Sequence, residues 1–162
     1  MALGPGPDAQ TVSGSPDAAA ALRREEARLL PRALDSALAR DPSLRSRYDA
    51  TMLATFLRDD RQTLAELARS LDTGDDRWLV SYVTQLVPVM RRRRVPMKDF
   101  ATLVLGVRDA AVAVLGPADA ARATQVAERA VAELDRPRHL PGDRPRGRIA
   151  SILWKAAGLG GW

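Results

Sequence analysis

Large apolar residues recur every three or four positions along most of this chain, and Pro- or Gly-bearing breaks separate the stretches they mark out. Leu79, Val83, Leu86 and Met90 form one such stripe; Phe100, Leu103, Val107, Ala111 and Val114 form another. That spacing puts side chains on one face of an α-helix, whereas a half-buried strand requires alternation, and no convincing alternation occurs. The pattern predicts an all-α fold in which amphipathic helices bury their stripes against one another. With 162 residues the chain has the length of one domain and needs no staples to hold a core.

The breaks divide the chain. Residues 1–15 are rich in Gly, Pro and Ser and are expected to be disordered, since they offer too little apolar surface to offset the entropy of ordering. Ser15 followed by Pro16 reads as an N-cap and a first helical residue. This helix should run to about Arg40 with a kink or break near Leu30, because Pro31 lacks the donor that a helix interior needs. Asp41-Pro42-Ser43 stops and restarts the chain, and Leu44, Tyr48, Met52, Phe56 and Leu57 then recur at helical spacing. Arg58-Asp59-Asp60-Arg61 interrupts that stripe. Its acids, with Gln62 in capping-box position, predict a fresh helix carrying Leu64, Leu67 and Leu71. Residues 72–76 read as a turn with a new cap, and Pro88 should bend the helix that follows. Val95-Pro96 and Gly116-Pro117 begin two more helices; the second should reach about Asp135 on a thin face of Ala121, Ala127, Ala130, Val131 and Leu134.

Charge divides the chain differently. Residues 1–135 hold 19 Lys and Arg against 19 Asp and Glu, while residues 136–162 hold 6 against 1, so the whole net charge of +5 lies in the tail. The tail also holds the single His, His139, and both Ile, Ile149 and Ile152. Residues 136–147 form a Pro- and Arg-rich linker that should be extended. Residues 148–162 should form a short, mostly apolar helix and tail with Arg148, Ser151 and Lys155 on one edge. The expected contact residues are Arg144, Arg146, Arg148, Ile152, Leu153, Trp154, Lys155 and Trp162. Such a helix can fold back on its own body, which avoids an association cost of roughly 4–15 kcal/mol, or it can dock in a groove of a protein partner. Attraction to an anionic membrane surface or to nucleic acid is the electrostatic alternative.

Other chemistry is restricted. With no Cys, thiol catalysis and thiolate metal sites are excluded. The opening residues carry no basic start followed by an apolar run, and no stretch approaches the roughly 18 apolar residues of a membrane span, so a cytoplasmic protein is expected. Arg outnumbers Lys 23 to 2 and Asn is absent, a bias of proteome-wide character, so the position of charge informs more than its amount. Glu25-Glu26, Asp59-Asp60 and Asp75-Asp76 are neighbours in sequence, point about 100° apart on a helix, and read as caps or solvated faces rather than paired acids. Residues 91–94, four consecutive Arg, cover all sides of a helix end and read as a solvated C-terminus, the alternative being a patch for an anion or acidic partner. Trp78 and Tyr82, one turn apart, read as core or dimer-interface aromatics. We expect no cofactor, no metal and no catalysis.

Two successive strings, TLAELARSLDTGDDRWLVSYV and then VMRRRRVPMKDFATLVLGVRDAAVAVL, together make one pattern. A helix ends in a short Gly-Asp turn, an amphipathic helix closes in basic residues, and after a short break a helix opens with an aromatic. This pattern, over roughly residues 20–135, resembles the N-terminal sensor domain of stressosome proteins of the RsbR type. The resemblance implies a non-haem, globin-like bundle that forms a homodimer and relays a signal without catalysis of its own. His139, in the linker, is not placed as a helix-borne haem ligand.

Overall fold

A computed structural model describes residues 13–136. Among them are seven α-helices and no strand: α1 (Pro16–Arg24), α2 (Glu26–Arg40), α3 (Leu44–Arg47), α4 (Ala50–Thr73), α5 (Arg77–Arg92), α6 (Met97–Val112) and α7 (Pro117–Ala132). The chain forms an all-α, multi-helix bundle. None of the described helices is long and apolar enough to cross a membrane.

The first helix begins at Pro16, but the Ser15 hydroxyl does not cap it. The Ser15 backbone N–H instead donates to the Leu71 carbonyl (2.7 Å), tying the start of α1 to the end of α4. The break expected near Leu30 falls at Glu25, and α2 runs straight through Pro31. Ala27, whose carbonyl loses its helical donor to Pro31, is exposed along with Pro31 itself, so water can satisfy that carbonyl. The restart after Pro42 is a single turn, α3; Tyr48 is extended, and Asp49 opens α4 by accepting from the Met52 N–H (2.8 Å).

The expected interruption at residues 58–61 does not occur, and Asp59 and Asp60 cap nothing. Phe56, Asp60, Thr63, Leu64, Leu67 and Leu71 lie buried along one α4 face, and packing that stripe outweighs the weak local cost of helical Asp. Gly74, at φ 70, takes the left-handed conformation that closes α4. The next helix receives its cap from across the turn: the Leu79 N–H, third in α5, donates to the buried Ser70 hydroxyl (3.1 Å). Pro88 lies inside α5, which continues to Arg92.

The core joins Leu22 of α1, Leu29 of α2, Phe56 and Leu67 of α4, Val83 and Met90 of α5, Val107 of α6 and Val126 of α7. Phe56 is fully buried, worth about 2–3 kcal/mol, and meets the Tyr48 ring edge-on at 5.0 Å. Gly106 lets α6 press against α2, for a Cβ there would lie 2.4 Å from the Ala33 carbonyl oxygen. On α7 the buried face is Ala123, Val126, Ala127 and Ala130, with Leu134 buried in the turn that follows, while Ala121 is exposed; at about 100° per residue it falls on the opposite side.

Arg136 pairs with Glu133 (2.8 Å). The rest of the expected linker and tail helix lies outside the described residues, as do residues 1–12.

Candidate functional site

The contact residues expected from sequence, Arg144, Arg146, Arg148, Ile152, Leu153, Trp154, Lys155 and Trp162, all lie outside the described residues. Within the bundle, besides a run of ion pairs from Arg40 through Asp109 and Arg108 to Glu128, polar side chains gather in three places.

Two are buried ion-pair clusters. Asp99, at the start of α6, accepts from the Arg47 guanidinium (3.0 and 3.1 Å) and the Tyr48 hydroxyl (2.7 Å). Burial, followed by the hydrogen bond to Asp99, pushes the Tyr48 phenol up to about 12. Arg47 also holds Asp41 (2.7 Å), whose carboxyl is lowered to about 2 by hydrogen bonds from Ser43 and then Arg47. This knot fastens the α3 turn to α6. The second cluster surrounds Asp76, read from sequence as a cap. Its side chain does not cap α5; it accepts from Arg122 and from Arg129 (2.6 Å), both on α7, and is only 5% exposed. Asp75 takes the local role, accepting from the Arg77 N–H (2.9 Å). Carboxylates gripped this way are structural anchors, since each is paired with and turned toward its guanidinium partner.

The third place is the outer side of the α4–α5 hairpin, a groove of about 500 Å³ lined by Glu66, Arg69, Asp75, Arg77, Trp78, Ser81, Tyr82 and Gln85. The Arg69 guanidinium lies 3.4 Å above the centre of the Trp78 ring. Beneath it the Trp78 Nε1 is shielded from solvent and has no hydrogen-bond partner. Tyr82 packs partly against the core, one of the two places expected for this pair, whereas Trp78 lies in the groove wall and outside the core. Burial, then the nearby Asp59 charge, raises the Tyr82 phenol to about 12.

Behind Tyr82 is Asp60, 3% exposed, with Oδ2 lacking any hydrogen bond. Burial, reinforced by the Asp59 charge, pushes its carboxyl up to about 8, so at neutral pH Asp60 is a protonated acid. Asp59 faces outward to Arg93 (2.5 Å). The adjacent acids thus have opposite fates and do not face each other as a carboxylate pair. Among the described residues no group of His, Asp or Glu is placed to hold a metal ion.

Sequence reading missed the Ser70 cap, the burial of Asp60 and the Arg69–Trp78 stack. Two of these had a signal, because Asp60 sits four residues from both Phe56 and Leu64, and Ser70 lies beside Leu67 and Leu71 on the core face. The stack had none, as its residues meet only across the turn. The chain matches no protein-family model and no curated protein.

Proposed function

We propose that this chain is a non-catalytic, globin-like regulatory or adaptor domain that forms a homodimer and engages a protein partner through its basic tail. Charge distribution carries the reading. In the bundle, carboxylates are consumed by internal ion pairs: Asp41 and Asp99 with Arg47, Asp59 with Arg93, Asp76 with Arg122 and Arg129, Asp109 with Arg40. The net charge left for recognition lies in residues 136–162. Arg144, Arg146 and Arg148 supply attraction at the mouth of a groove, and Ile152, Leu153, Trp154 and Trp162 supply buried area, with Lys155 at the rim. A Cys-free chain is compatible with the cytoplasm or another reducing setting.

A pull-down comparing the full chain with a form ending at Asp135 tests the tail. The full chain should retain a protein that the shorter form loses, and equal recovery would overturn the reading. Sedimentation of the shorter form at micromolar concentration should give a dimer; a monomer removes that part. The same +5 tail also supports an electrostatic reading. Liposome or DNA binding that collapses with salt and with Arg144→Ala, Arg146→Ala and Arg148→Ala would replace the protein partner with an anionic surface.

A further inference from the structure

The C-terminus of α5 closes on a residue that its backbone does not favour. The Val95 N–H donates to the Met90 carbonyl (2.9 Å) and the Arg94 N–H to the Arg91 carbonyl (3.0 Å). This is a Schellman closure, which forces the residue in Arg94's place into the left-handed region. Arg94 stands at φ 60, the only non-glycine residue at positive φ among those described. Met90 and Val95, which bracket the closure, are buried, so the core fixes the turn. Glycine removes the clash of Cβ with backbone there, and the chain uses it for the same purpose at Gly74, φ 70, at the end of α4. Keeping a long cationic side chain in a conformation that suits glycine is strain of the kind found where a side chain has work to do.

The charge around Arg94 points to that work. Its neighbour Arg93 is turned onto Asp59 (2.5 Å), but Arg92, Arg94 and Lys98 are exposed and have no ion pair among the described residues. We infer that this α5–α6 corner is a docking point for an acidic segment of a protein partner, with Arg94 presented at a fixed position by the closed turn. A turn anchored in the core spares the partner part of the ordering entropy of the site. A bilayer suits the corner less well, because Val95 is buried and Met97 half-buried, leaving Pro96 as the one fully exposed apolar residue there and no bulky side chain free to insert. Nucleic acid lacks a stacking platform there, since Phe100 is buried. The inference rests on the reading that the domain holds a protein partner, but it uses a surface separate from the tail.

The test titrates the isotope-labelled full chain with a synthetic peptide of alternating Glu and Leu, reading backbone amide shifts. Shifts should centre on residues 91–98; shifts confined elsewhere overturn the assignment. Arg94→Gly should raise Tm by about 2–5 °C while weakening the peptide roughly three- to ten-fold, and Arg94→Lys should keep the affinity. Unchanged affinity in Arg94→Gly, or a lowered Tm, counts against the proposal. Phosphatidylserine vesicles and duplex DNA are run alongside; if either moves these amides at concentrations where the peptide does not, the partner is not an acidic protein segment. The triple change Arg144→Ala, Arg146→Ala, Arg148→Ala should leave the 91–98 response intact, so failure of the tail reading and failure of this one are separable.

Discussion

The contact of α2 with α6 and that of α4 with α5 join neighbouring helices by opposite means. At the first, Ala33, Ala37 and Gly106 bring two backbones together, with a polar clamp only at the rim, where Arg40 meets Asp109 (2.6 Å). At the second, polar groups enter the contact: Ser70 caps α5 from α4, Asp60 is buried without a full set of partners, Asp59 reaches Arg93, and Arg69 covers Trp78. The first contact draws on close packing, which is insensitive to pH. The second carries electrostatic conflict that pH and mutation can expose, and the groove belongs to it.

The largest expected effect concerns Asp60. Its carboxyl titrates near 8 in the folded chain and near the ordinary 3.8 when unfolded. Between these values the folded state keeps a proton that the unfolded state has released, so the contribution of Asp60 to stability is greatest below the window and declines as pH rises through it. Asp60→Asn should therefore be about 2–4 kcal/mol more stable than the parent at pH 9 and nearly equal to it at pH 4, by urea unfolding. Identical pH slopes for the two proteins would place the conflict elsewhere.

Gly106→Ala probes the dry contact. The added methyl meets backbone at 2.4 Å, and the helices must move apart, for a loss of about 1–3 kcal/mol that does not vary with pH. A neutral result would mean that α2 and α6 are less tightly joined than this distance states. Ser70→Ala leaves the Leu79 N–H without its acceptor, and should lower stability by about 1–2 kcal/mol in thermal unfolding, with the fastest amide exchange at the first turn of α5. Protection there unchanged from the parent would show that the cap is dispensable. Arg69→Ala is the mildest: the exposed stack is worth about 0.5–1 kcal/mol, while tryptophan fluorescence should change distinctly as the Trp78 face opens to water.

Much of the helical order could be read in advance because Pro and Gly act locally. Pro96, Pro117 and Gly74 lie where α6, α7 and the end of α4 require them, since a missing N–H or an absent Cβ has the same consequence in any fold. Pro31 misled for the complementary reason: its penalty depends on whether the freed carbonyl can reach water, which burial decides. At residues 58–61 a polar run resembled a turn, yet the stripe from Phe56 through Asp60 to Leu64 continued beneath it. Asp76 resembled a cap and became an anchor for α7, because two Arg more than 45 positions away arrive beside it.

The sequence by itself determined that this chain is helical, where most of its helices begin and end, and that its net charge is confined to the last 27 residues. Those properties follow from the hydrogen-bonding and steric character of single residues and their spacing. Only the tertiary structure decided which of two adjacent acids is buried, which serine caps a helix across a turn, and which of four consecutive arginines is clamped and which is held strained toward solvent. Each of these depends on what another helix brings within a few ångströms, and desolvation and pairing energies act over that range.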